Sequence, residues 1–204
     1  MTSVARAHWD FVFWEGPDGR YAGIQGPESQ ASEAPVPAGA EFLGVRVALG
    51  AFLPGLPIQP LVDRFVALPT EKDSFHLAGA RIPTPRYEDA EAFVAMLLRR
   101  DLLAVADALQ DRLTDRTRQR LYLAAVGMPR RTVRQIERAQ DAAVRLQAGE
   151  APASVAQDVG YFDQPHLARS LRRFIGPSAT ELAGGDDGGQ ALSLLYKTEG
   201  SRDG

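Results

Sequence analysis

At 204 residues and 45% hydrophobic content, the chain has material for one large or two small cored domains and does not read as disordered. The absence of cysteine excludes a disulfide framework, thiolate metal sites and cysteine nucleophiles. The net charge of −3 hides a division: Arg112 to Ile175 carries 12 arginines and no lysine against 6 acidic residues, a net +6, which leaves −9 for the remainder. A basic module is therefore joined to an acidic one. No apolar run approaches the roughly 20 residues of a membrane span, and the opening MTSVARAHWD lacks a signal-peptide core, so a soluble, cytoplasmic protein is expected.

Residues 8–26, HWDFVFWEGPDGRYAGIQG, predict a β-hairpin. Trp9, Phe11 and Phe13 alternate with polar or smaller residues, and Gly16-Pro17-Asp18-Gly19 supplies turn chemistry. The composition of residues 27–40, PESQASEAPVPAGA, predicts a loop, and EFLGVRVALG after it a strand that pairs with the hairpin. Four prolines between Ala51 and Thr70 break any long helix, leaving a packed, irregular connection with a short helix near Leu61 to Phe65. Ser74 to Ala78 reads as one more strand. Beyond Pro83 and Pro85 the period changes: Phe93, Met96 and Leu97 recur at helical spacing, and Asp101 to Gln110 is expected to form a second amphipathic helix.

The stretch LTDRTRQRLYLAAVG and the later FDQPHLARSLRRFIG align at a constant offset of 49 residues, with Arg120 against Arg169, Val126 against Ile175 and Gly127 against Gly176. Such an offset argues for two copies of one helical unit. Between them Val133, Ile136, Ala143 and Leu146 mark a helix from Arg131 to Gln147, stopped by Gly149. In the second copy a short helix through Val155 and Ala156 runs into the turn Gly160-Tyr161-Phe162, and Asp163 stands as the N-cap of a further helix. On that helix Leu167, Leu171, Phe174 and Ile175 share one side, whereas Pro165, His166, Arg169, Arg172 and Arg173 share the other. A turn followed by a cationic helix suits the major groove, because Arg bonds bidentately to guanine and its neighbours neutralise phosphates.

GYFDQPHLARSLRRFIGPS resembles the second helix-turn-helix of AraC-type (AraC/XylS) transcriptional regulators, matching the family pattern at Gly160, Tyr161, Asp163, Gln164, His166, Leu167, Arg169, Arg173 and Gly176. The resemblance covers about residues 101–182. It implies two helix-turn-helix units joined by a long helix, and hence an α+β protein with a small β-rich, partial cupin-like N-terminal domain and an all-α double helix-turn-helix DNA-binding domain. The expected boundaries are 1–86 for a sensor or dimerisation domain, 87–182 for the DNA-binding domain, and 183–204 for a flexible tail holding a strand at 191–197. Promoter or operator double-stranded DNA is the implied partner, and RNA polymerase, a small-molecule effector and a second copy of the chain fit the same role.

Carried over position by position, the resemblance assigns DNA contacts to Gln164, Pro165, His166, Ala168 and Arg169, with Arg172 and Arg173 suited to the backbone. In the first unit the corresponding contacts are Arg116, Thr117, Gln119 and Arg120. Arg118 departs from the family, which usually has an aliphatic residue there. Its guanidinium either snorkels to a phosphate or an acidic group, or the first helix is rotated. That departure keeps a second reading open, a sensing or protein-interaction module whose helix-turn-helix pair no longer binds DNA. Trp9, Trp14, Phe42, Phe52 and Phe75 read as core before they read as a ligand pocket, and no effector is legible. Neither a metal-ligand spacing nor a Gly-rich phosphate loop nor a G-x-S-x-G elbow is present, so no enzyme and no cofactor is expected.

Overall fold

The computed structural model describes residues 2–16, 19–33, 41–105, 115–177 and 181. Along the chain the strands are β1 (Thr2–Ser3), β2 (Asp10–Gly16), β3 (Gly19–Gln25), β4 (Ser32–Glu33), β5 (Glu41–Arg46), β6 (Ala51–Phe52), β7 (Phe65–Leu68), β8 (Thr70–Glu71), β9 (Ser74–Leu77), β10 (Ala80–Pro83) and, after helix α1 (Ala90–Arg99), β11 (Ala104–Val105). Four helices follow: α2 (Asp115–Val126), α3 (Arg130–Gln147), α4 (Pro152–Asp158) and α5 (Gln164–Phe174). The described residues are thus α+β, with antiparallel sheets first and helices after.

The chain forms two compact units, one of Arg6–Ser29 with Val36–Val133, the other of Met1–Ala5, Gln30–Pro35 and Arg134–Gly204. The division falls within α3. In the first unit β2 and β3 form the expected hairpin, and the sheet runs β5-β2-β3-β7. Strand pleating turns Phe11, Phe13, Ala22, Ile24 and Val45 inward, where they meet Phe75, Ile82, Phe93 and Leu97 in one core. Rings interlock there: Phe11 meets Phe93 edge-on at 5.3 Å between centroids, and Phe13 lies 5.4 Å from Phe75. Trp9 is buried as well, its indole N–H donating to the Ala51 carbonyl at 3.0 Å.

Three expectations are corrected in this unit. Instead of a helix at Leu61 to Phe65, a 3-10 turn occupies Gln59–Leu61, and Phe65 opens strand β7, whose backbone finds its partners along β3. The helix expected from Asp101 does not form at 101–105. Asp101 takes a left-handed φ of 54°, the amides of Leu102 and Leu103 both donate to the Leu97 carbonyl, and Ala104–Val105 then pairs with Ala51–Phe52. Apolar Leu102 and Leu103 close the end of α1 where periodicity alone suggested a new helix. The five aromatic residues also separate: Trp9 and Phe75 lie in the core, while Trp14 stacks with Phe42 at 6.1 Å on the opposite face of the sheet. The remainder of the expected helix at 106–110 and the tail strand at 191–197 lie outside the described residues.

Candidate nucleic-acid interface

In the second unit, α3, α4 and α5 bury Ile136, Ala139, Ala143, Leu146, Val155 and Leu171. Helix α3 runs one residue beyond the expected start at Arg131, and every residue that the sequence placed on its apolar face is buried. Its polar side is fastened to the following helix. Arg145 Nη2 lies 2.6 Å from Glu150 Oε2 and 2.7 Å from Asp158 Oδ2, and this guanidinium holds the Glu150 carboxyl below its ordinary pKa.

The link from α4 to α5 is a tight turn with a determined conformation. Gly160 has φ +81°, the left-handed region that a Cβ disfavours. Tyr161 is buried and its hydroxyl shares a hydrogen bond of 2.8 Å with Ser170 of α5. Arg138 of α3 packs its guanidinium 4.3 Å above the Tyr161 ring and donates to the Gly160 carbonyl at 3.2 Å. Helix α5 then starts as the sequence predicts: Asp163 is extended and its carboxylate accepts the His166 amide at 2.7 Å. His166 Nδ1 in turn accepts the Phe162 amide at 3.4 Å, one residue ahead of the N-cap amide that a capping box would engage.

Leu167, Ser170, Leu171 and Phe174 face the interior of the unit, at helical spacing. Gln164, Pro165, Ala168, Arg169, Arg172 and Arg173 are exposed, and His166 is half-buried against Tyr161 at 5.2 Å between ring centroids. At 100° per residue, Pro165, Arg169 and Arg172 point directly away from the buried side. The two outer arginines of the last turn also complement the partial negative charge at the C-terminal end of the helix. Arg173 lies 4.9 Å over the Phe174 ring.

The first copy of the repeat is described from its second helix onward. Helix α2 begins at Asp115, 49 residues before Gln164, and each helix is followed by a left-handed glycine, Gly127 at φ +75° and Gly176 at φ +100°. Arg116, Gln119 and Arg120 are exposed and Thr117 is half-buried; Arg118's side chain lies outside the described residues. Helix α2 packs within the β-rich unit, where the Ile58 amide donates to the Ala124 carbonyl at 3.2 Å. Two positions explain the difference between the copies: where α5 has exposed Arg172 and Arg173, α2 has Leu123 and Ala124. Among the described residues, Arg116, Arg120, Arg169 and Arg172 have no ion-pair partner.

Every sequence-assigned residue of the second copy thus lies on α5, on its exposed side or at its cap. Arg138 and Ser170, which fix the turn, were not legible: one reads as a solvated surface arginine and the other as a polar residue between two leucines. No group of three or more His, Asp or Glu side chains able to hold a metal converges among the described residues. No family model, curated protein or solved structure matches the chain.

Proposed function

We propose that the chain is a cytoplasmic transcription regulator of the AraC type, in which α2 and α5 read adjacent major grooves of promoter DNA and the β-rich region serves as a sensor or dimerisation domain. One observation carries this reading. Helix α5 is held firmly on its inner side by Leu167, Leu171, Phe174 and the Tyr161–Ser170 bond, yet its outer side leaves Arg169 and Arg172 exposed and without a counter-ion among the described residues. Cations on a fixed scaffold, with no acid to satisfy them, suit phosphates and guanine edges. The basic segment also counteracts the acidic remainder locally, so an overall charge of −3 does not oppose the reading.

Binding of the full chain to duplex DNA over a salt series tests it. Affinity is expected to fall steeply with salt, by a slope of roughly −0.9 for each phosphate neutralised. Arg172→Ala should lower that slope by about 1, whereas Arg169→Ala should relax discrimination at one base pair, costing about 10- to 100-fold against the selected site. Weak binding that is insensitive to both substitutions would favour the alternative, an interaction module with a degenerate pair of helix-turn-helix units.

A further inference from the structure

Phe162 precedes the cap of α5 and is 93% exposed, the most exposed of the large apolar side chains among the described residues. It is not loose. Its amide donates to His166 Nδ1, Gly160 and buried Tyr161 fix the backbone ahead of it, and Asp163 caps the helix behind it. A phenyl ring is therefore held out in water beside the first turn of the cationic helix. Pro165 and Ala168 are exposed in the first turns of α5, and Arg169 and Arg172 lie exposed further along the helix. The outer side of α5 is apolar at its N-terminal end and cationic beyond.

We propose that this apolar end reads thymine, with Phe162 packing on the C5-methyl group that thymine alone presents in the major groove. The inference rests on the DNA-reading assignment of α5 and adds the base class met by its first turn. Three features favour thymine over a protein partner. The patch is only three side chains wide, well below the roughly 800 Å² per partner of a stable protein interface. It is followed along α5 by exposed Arg169 and Arg172, which have no ion-pair partner among the described residues and complement a polyanion. Finally, apolar contact is the way the thymine methyl is distinguished from the hydrogen-bonding edges of the other bases.

The test uses the full chain, a duplex selected from genomic DNA, and the same duplex with deoxyuridine at each thymine in turn, which removes only the methyl group. Loss of one methyl contact should weaken wild-type binding about 4-fold at one or two positions, the equivalent of about 0.8 kcal/mol per buried methyl-sized group. Phe162→Ala should bind the thymine duplex about 4-fold more weakly than wild type and show no further loss on the deoxyuridine duplex. Its melting temperature should match that of wild type, because the ring contributes little to the core. Equal methyl sensitivity in Phe162→Ala and wild type, or none in either, overturns the thymine assignment. If Arg169→Ala still relaxes specificity in that case, the DNA reading of α5 stands without it. Absence of any duplex binding overturns both.

Discussion

His8 shows how one residue ties stability to pH in the β-rich unit. Burial pushes its pKa below the ordinary 6.5, Arg46 and Arg6 lower it further, and only Asp10 opposes them. Arg6 Nη1 lies 2.8 Å from Asp10 Oδ2, and Arg46 Nε reaches the other oxygen of the same carboxylate at 3.4 Å. Arg6 Nε also approaches Glu28 to 2.8 Å, but the N–H is not aligned for a hydrogen bond, so that contact is coulombic. The carboxylate is thus already shared by two guanidinium groups, and little negative potential is left for an imidazolium. With its folded pKa below the unfolded value, His8 takes up a proton more readily in the unfolded chain. The stability it contributes is complete above about pH 6.5 and is lost as pH falls through that value toward the lower folded pKa. Denaturant midpoints measured from pH 8 to pH 5 should fall more steeply for wild type than for His8→Gln; parallel curves would show that His8 does not contribute.

In the second unit, the last carbonyls of α5 find partners on N-terminal segments of the chain. The last carbonyls of a helix lack intrahelical partners. Here the Phe174 carbonyl accepts the Ala5 amide at 2.7 Å, and the Arg173 carbonyl accepts the Ala31 amide at 2.8 Å. Both donors come from N-terminal segments that pair with each other as β1 and β4, and Gln140 of α3 fixes one of them by donating to the Ala5 carbonyl at 2.7 Å. Gln140→Ala should cost about 1 kcal/mol and raise amide exchange at Ala5 and Ala31. Unchanged exchange at both amides would show that the strands hold themselves. This arrangement was not legible in the sequence, and the reason is physical. Helices α3 and α5 announce themselves through a 3.6-residue apolar period and, for α5, a capping aspartate, both of which are local. Strands as short as Thr2–Ser3 and Ser32–Glu33 have no period, and their pairing depends on backbone partners about thirty positions away in the chain. The candidate site was readable because its chemistry lies on one helix. Phe162 was readable only as a turn residue, since an aromatic side chain in a sequence suggests burial and nothing local reports 93% exposure.

For the whole molecule, the repeat makes a stronger demand than either helix alone. A net charge of −3 gives no general attraction to DNA, so under the proposed function binding would come from the exposed arginines of the positive segment acting at short range. Under the proposed DNA reading, each copy of the helix should protect its own patch of the duplex. In a footprinting experiment Arg120→Ala should weaken one patch and Arg169→Ala the other, each substitution leaving the remaining patch in register. The copies are not equivalent, however. Leu123 and Ala124 stand where α5 has Arg172 and Arg173, so the patch under α2 should have fewer phosphate contacts, a smaller salt dependence and earlier loss as salt rises. A single patch that responds to Arg169→Ala and ignores Arg120→Ala would mean that α2 has kept the helix of the repeat while giving up its grip on DNA.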